Sequence, residues 1–251
     1  MALEIHQFAY GKDNYGVLLH DGDSGETAMI DAGDAAAART AMAETGWQLT
    51  QIWITHHHGD HTAGLMDIAA ETGAATYGPA GISGIATTLA DGDSFVFADR
   101  QVEVLATPGH TLDMLNFHLV PEKLAFTGDT LFAMGCGRLF EGDAAMMWDS
   151  LGKLMALDDD TVIYCSHEYT AANAAFALSV DPDNHALQRR AEAVAELRAA
   201  GLPTVPTIIG LEKETNPFLR AGDAAIRKGV GMESAPDAAV FAEIRRRKDS
   251  F

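Results

Sequence analysis

Short apolar or β-branched runs, punctuated by Gly, Asp and Pro, fill the chain as far as Cys165 and then almost cease. They are Leu3–Phe8, Gly16–His20, Thr27–Asp31, Gln51–Thr55, Ala75–Tyr77, Ser94–Phe97, Val102–Ala106, Leu115–Val120, Lys123–Thr127 and Thr161–Cys165. Runs of this composition bounded by turn formers read as strands. Helical periodicity interleaves at Ala35–Thr45, Ala63–Thr72 and Ala144–Leu157. Many short strands with few helices predict an α+β fold, two packed sheets covered by helices. Beyond residue 167 the pattern changes. Tyr169–Val180, Asn184–Ala200 and Pro236–Arg247 read as helices with apolar faces to bury. The expected organisation is a domain over 1–167 and a helical domain over 168–251 that packs onto it.

Charge narrows the function. The net charge is −19, and residues 1–167 hold six Lys+Arg against 24 Asp+Glu. Binding to a phosphate backbone needs clustered cations, so no nucleic-acid partner is expected. No stretch has the ~18 uninterrupted apolar residues of a membrane helix, so no membrane partner is expected either. The start, MALEIHQFAY, lacks a basic segment followed by an apolar run, and Cys136 and Cys165 are too few for a disulfide framework. A cytoplasmic, reducing setting is the expectation, with a monomer acting on a small molecule.

The chemistry concentrates in Thr55-His56-His57-His58-Gly59-Asp60-His61, at the end of the predicted strand Gln51–Thr55 and before a helix. In extended chain, residues two apart face the same way, so His56 and His58 can aim at one ion. Gly59 permits a sharp turn that would send Asp60 and His61 toward a second. Imidazole and carboxylate suit zinc, iron or manganese. A run of histidines alone is also a common solvated turn, and Asp60 alone is a common helix cap. Three more potential ligands also sit just past predicted strand ends: His110, Asp129 and His167. Seven donors exceed what one tetrahedral ion needs, which argues for two ions with a shared water. His6, His20, His57, His118 and His185 lack such a setting and read as ordinary core or surface residues.

His-x-His-x-Asp-His followed by a separated His, Asp and His resembles the metallo-β-lactamase superfamily. The resemblance implies a four-layer αββα sandwich with two divalent metal ions, zinc first and iron or manganese as the alternatives. By motif position His56, His58 and His110 would hold one ion and Asp60, His61 and His167 the other, with Asp129 bridging. Asp60 and Asp129 are the expected catalytic carboxylates. Asp31, in Ile30-Asp31-Ala32-Gly33, matches the superfamily's aspartate that orients a ligand imidazole, although a plain turn former would read the same.

Within that superfamily the chain most resembles glyoxalase II, the hydroxyacylglutathione hydrolases, over essentially its whole length. The resemblance lies in Gly135-Cys136-Gly137-Arg138-Leu139-Phe140-Glu141-Gly142, His167-Glu168-Tyr169-Thr170, Glu214-Thr215-Asn216-Pro217-Phe218 and the ending Arg245-Arg246-Arg247-Lys248-Asp249. It implies hydrolysis of S-D-lactoylglutathione to glutathione and D-lactate, the second step of methylglyoxal detoxification, with a metal-bridging hydroxide as nucleophile. Arg138, Phe140, Tyr169, Arg245 and Lys248 would grip glutathione. Arg and Lys suit its carboxylates. The family commonly has Tyr where this chain has Phe140, which removes a hydroxyl donor. The alternative from another enzyme class is a glutathione-persulfide dioxygenase with one iron. The helical tail and the full second ligand set weigh against it.

Overall fold

The computed structural model describes residues 3–251. Its contacts divide the chain into two compact units. One runs up to Ala106 and includes Asp113–Glu122, and the other holds Thr107–Leu112 and Lys123–Phe251.

The first unit begins with β1 (Glu4–Tyr10), β2 (Asn14–His20) and β3 (Thr27–Ile30), which are antiparallel neighbours. Helix α1 (Ala35–Thr45) then leads to β4 (Gln51–Trp53), and α2 (Gly59–Thr62) with α3 (Leu65–Thr72) leads to β5 (Ala75–Gly78) and β6 (Thr87–Thr88). From β3 onward the neighbours are parallel, in the order β3-β4-β5-β6. Parallel neighbours cannot be joined by a tight turn, so the first two crossovers run through helices and the third, from β5 to β6, through a helix-free loop over 79–86. Asp34 starts α1 by accepting from the N–H groups of Ala36 and Ala37, and left-handed Gly46 ends it. A second, antiparallel set follows: β7 (Ser94–Phe97), β8 (Arg100–Ala106) and β9 (Leu115–Leu119).

Strand alternation sorts the core of this unit. Ile52 and Ile54 pack with Leu65, Ile68, Ala38 and Ala41 under the helices. Trp53 points to the opposite face, where its ring meets Phe95, Phe97 and Phe117 at 5.1–5.6 Å. Its indole N–H, buried with the ring, donates to Gln51 Oε1 at 2.9 Å. The unit is thus helices on sheet on sheet.

The second unit holds β10 (Leu124–Gly128), the hairpin β11 (Leu131–Phe132) and β12 (Gly135–Cys136), then α4 (Ala144–Met155) and β13 (Val162–Cys165). The tail follows as α5 (Thr170–Val180), α6 (His185–Ala199), β14 (Thr207–Ile208), α7 (Ile209–Thr215), α8 (Ala224–Val230) and α9 (Asp237–Asp249). Strand β10 runs parallel to β13, and the tail's β14 adds antiparallel to β13's other side. Met134 packs with Ala174, Ala177, Leu187 and Val194, so a loop from before the tail is buried against α5 and α6.

The sequence pattern located most of these elements to within a few residues, but the two-residue strands β6, β11, β12 and β14 went unread, and other differences are instructive. The helix expected over Ala63–Thr72 is α3, which starts at Leu65, and a separate short helix, α2, precedes it. Gly64 separates them at a point where a Cβ would lie 2.6 Å from the Ala35 nitrogen. Gly59 is not a sharp left-handed turn. It opens α2, so Asp60 and His61 project from a helix. Helices α7 and α8, seven residues each, are too short to show a period of 3.6 and went unread. Helix α9 extends through Lys248, which places Arg245 and Lys248 on one face.

Candidate metal centre

In the first unit the candidate ligands follow the carboxyl end of β4, and Asp31 follows that of its parallel neighbour β3. Register pairs Ile30 with Trp53, so the residues after β3 and after β4 leave the sheet side by side. His56 and His58 lie with ring centroids 4.7 Å apart and His56 Nε2 3.0 Å from His58 Nδ1, as two same-facing residues of extended chain should. The His61 ring is 4.1 Å from that of His56. His56 and His61 are fully buried, whereas Asp60 is exposed.

Asp31 fixes this half. It is buried and held in the left-handed region at φ 59. Its carboxylate accepts from the Thr55 N–H at 2.8 Å, from Thr55 Oγ1 at 3.0 Å and from His61 Nδ1 at 2.7 Å. Donating Nδ1–H to a carboxylate leaves the His61 lone pair on Nε2, which sits 3.6 Å from Asp60 Oδ2. The turn-former reading of Asp31 therefore gives way to the orienting one. Two further residues were invisible to motif reading. Asn14 Nδ2 donates to Asp60 Oδ2 at 3.0 Å, and the Tyr10 hydroxyl donates to the Asp60 carbonyl at 2.8 Å. Both come from the β1–β2 hairpin, about fifty positions upstream. Next to Asp60, Gly33 has no room for a side chain, because a Cβ there would lie 1.7 Å from the Asp60 carbonyl oxygen. His57 is exposed and pairs with Asp113 at 3.0 Å.

In the second unit His110, Asp129 and His167 converge and are buried. His110 Nδ1 donates to the Arg138 carbonyl at 2.8 Å, which again puts the lone pair on Nε2. That Nε2 is 3.3 Å from Asp129 Oδ2, and His167 Nε2 is 3.3 Å from Asp129 Oδ1. Each carboxylate oxygen thus faces one imidazole. A lone pair set against a carboxylate oxygen repels it unless a cation lies between, so this donor set fits divalent metal.

The expected substrate-binding residues split into two groups. Arg138, Phe140 and Tyr169 line the ligand residues. The Arg138 guanidinium lies 4.9 Å over the Phe140 ring, Phe140 is 5.2 Å from the His110 ring, and Tyr169 stacks flat on His167 at 4.7 Å. Arg245 and Lys248 are engaged with the protein. Arg245 is 5% exposed. It donates to the Cys136 carbonyl at 2.9 Å and to Asp249 at 3.0 Å. Lys248 Nζ donates to the Ala172 carbonyl at 3.0 Å, and burial, reinforced by the Arg245 charge, holds its pKa below the usual lysine range. Burial pushes the Cys136 thiol up to about 11 despite the opposing pull of Arg245.

Comparison with known proteins agrees with this geometry. A family model of the metallo-β-lactamase superfamily matches residues 14–167, and one for the hydroxyacylglutathione hydrolase C-terminus matches residues 168–251. The crystal structure of ETHE1 from Myxococcus xanthus superposes with a TM-score of 0.68 at 26% identity, covering 100% of this chain and 99% of that one. Those matches define the class, a metallo-β-lactamase fold with a helical C-terminal region. A hydroxyacylglutathione hydrolase of Rhizobium meliloti (strain 1021) is 56% identical across 100% of this chain and 99% of its own. One from Maricaulis maris (strain MCS10) is 55% identical across 99% of each. The chain belongs to the hydroxyacylglutathione hydrolase family.

Proposed function

We propose that this protein hydrolyses S-(2-hydroxyacyl)glutathione, with S-D-lactoylglutathione as substrate and glutathione and D-lactate as products, the second step of methylglyoxal detoxification. The observation that carries the reading is the identity of 56% over the entire chain to a hydroxyacylglutathione hydrolase, tail included. Its expected setting is a cytoplasmic monomer, divided in function between residues 1–167 and 168–251.

His56, His58 and His110 would hold one divalent ion, and Asp60, His61 and His167 the other, with Asp129 shared and zinc the first choice. When bound, the pair supplies Lewis acidity and a water that loses its proton near neutral pH. The protein's own residues do the rest. Asp31 and the Arg138 carbonyl keep His61 and His110 in the tautomer that presents Nε2. Asp129 offers one carboxylate oxygen on each side and is placed to accept a proton. Arg138 and Tyr169, beside His110 and His167, orient glutathione so that its thioester carbonyl faces the donors. A guanidinium has five N–H donors, so Arg245 can serve both the Cys136 carbonyl and a ligand carboxylate. The departing thiolate is a good leaving group and needs no protein acid.

The test is turnover of S-D-lactoylglutathione by purified protein, read as loss of thioester absorbance and release of thiol, with metal content measured on the same sample. Turnover with about two metals per chain is expected for a dinuclear site. A fully metallated sample with no turnover would sink the assignment.

A further inference from the structure

The tail meets the β11–β12 hairpin through side chains that the motif reading left without a role. Residues 131–136 are all buried, and the turn passes through Met134 at φ 59. A buried turn must find partners for its backbone N–H and C=O groups. The tail supplies them one after another. Asn216 Nδ2 donates to the carbonyls of Phe132 at 3.4 Å and Gly135 at 3.0 Å. Asn173 Nδ2 donates to the Ala133 carbonyl at 3.1 Å, and Arg245 to that of Cys136. The Met134 N–H donates to Glu212 Oε2 at 2.8 Å.

Glu212 is the hub. It is fully buried on α7. Oε2 also accepts from Asn216 Nδ2 at 3.0 Å. Oε1 accepts from Thr207 Oγ1 at 2.6 Å and from the Arg190 guanidinium. Four donors therefore lock one carboxylate, and that carboxylate holds the apex of the hairpin.

Both ends of the hairpin enter the metal centre. Register pairs Leu131 with Cys136, so Asp129 and Arg138 flank the hairpin at equal distance. The Gly137 N–H donates to the Thr130 carbonyl at 3.1 Å, and a Cβ on Gly137 would lie 2.0 Å from the Asp129 carbonyl oxygen. The Arg138 carbonyl in turn sets the His110 ring. A slip of the hairpin would move the Asp129 carboxylate and turn His110 together.

We propose that Glu212, with Asn216, is a positioning residue for the metal centre: it holds the β11–β12 hairpin in the register that aims Asp129 and His110 at one ion. The proposal rests on the reading that His110, Asp129 and His167 bind divalent metal. The bland alternative is that the Arg190–Glu212 pair stabilises the tail and nothing more.

The experiment measures zinc affinity of metal-stripped protein by competition with a chelator, alongside amide hydrogen exchange over residues 131–138. The variants are Glu212→Gln, Asn216→Ala and Thr207→Val. The last removes a donor to Glu212 but touches no hairpin atom. Glu212→Gln and Asn216→Ala are expected to weaken zinc binding about 10–100-fold, the usual effect of losing an outer partner, and to speed exchange in the hairpin. Thr207→Val is expected to lower thermal stability and change neither. Unaltered zinc affinity and exchange in folded Asn216→Ala would overturn the proposal, as would an equal loss of affinity in Thr207→Val. Asn216→Ala decides the matter if Glu212→Gln does not fold. Asp129→Ala separates the layers. If it leaves zinc affinity untouched, the metal reading itself fails and takes the proposal with it.

Discussion

The two units supply their candidate ligands by opposite routes. In the first, His56, His58, Asp60 and His61 are nearly contiguous, and one buried carboxylate, Asp31, braces them from the neighbouring parallel strand. In the second, His110, Asp129 and His167 are spread over the chain. Asp129 and His110 are set by a hairpin whose backbone is held by Asn173, Glu212, Asn216 and Arg245, and His167 follows β13. A compact motif needs one brace. A dispersed set needs a buried polar scaffold, and a helical tail provides it.

Metal removal tests both halves together and should have the largest effect. Dialysis against a strong chelator is expected to reduce turnover to background, and added zinc, iron or manganese to restore it. Activity that survived a verified absence of metal would leave neither half with a role.

Asp31→Ala tests the single brace. It leaves the Thr55 N–H and the His61 imidazole without their buried acceptor, at an expected cost of about 3 kcal/mol in the metal-free protein. Metal affinity is expected to fall roughly 10–100-fold. Denaturant unfolding with chelator competition measures both. A variant as stable as the parent would mean that the contiguous motif holds itself and needs no brace.

An alkaline titration probes the scaffold side. The buried Cys136 thiol has its folded pKa raised to about 11 from an ordinary 9.0, so the folded state keeps this proton longer than the unfolded one. Its contribution is complete below pH 9 and is lost as pH rises toward 11. The loss is on the order of 2–3 kcal/mol. Unfolding curves across that range should show it, and Cys136→Ala should remove part of the dependence, leaving the part due to Cys165, whose burial pushes its thiol up to about 12. An equally steep decline in the variant would place the alkaline sensitivity elsewhere.

The smallest effect concerns substrate. Phe140→Tyr restores a hydroxyl beside Arg138 and His110, on a side chain that is 55% exposed. KM for the glutathione thioester is expected to fall by a factor corresponding to ~0.5–1.5 kcal/mol, with kcat little changed. A change in kcat alone would mean that Phe140 acts on the ligand residues rather than on glutathione.

Much of this was legible from sequence because it is local. The apolar run Gln51–Thr55, the helical period of Ala35–Thr45 and the spacing of His56 to His61 all act over a few residues. A strand or a turn of helix realises them directly. Arg245 shows the limit of motif reading. Its place in a basic ending suggested a ligand handle, and the fold gives it a backbone carbonyl to hold as well. Asn14, Tyr10 and Glu212 carried no legible signal as neighbours of the site, since nothing in their immediate sequence distinguishes them from ordinary turn or helix residues, and Asn216, although it lies in the Glu214–Phe218 stretch, had no readable role there.

By itself, then, the sequence determined the run of strands, the shift to helices after residue 167 and the chemical identity of the seven candidate ligands. Only the tertiary structure decided that Asp31 reaches His61, that Asn14 reaches Asp60 across 46 positions, and that Asn216 reaches back 81 positions to the hairpin beside Asp129. The reason is one of range. Backbone propensity and side-chain periodicity act between near neighbours. Contacts between distant residues are fixed by strand register and by the need to satisfy buried polar groups, which exist only once the chain has folded.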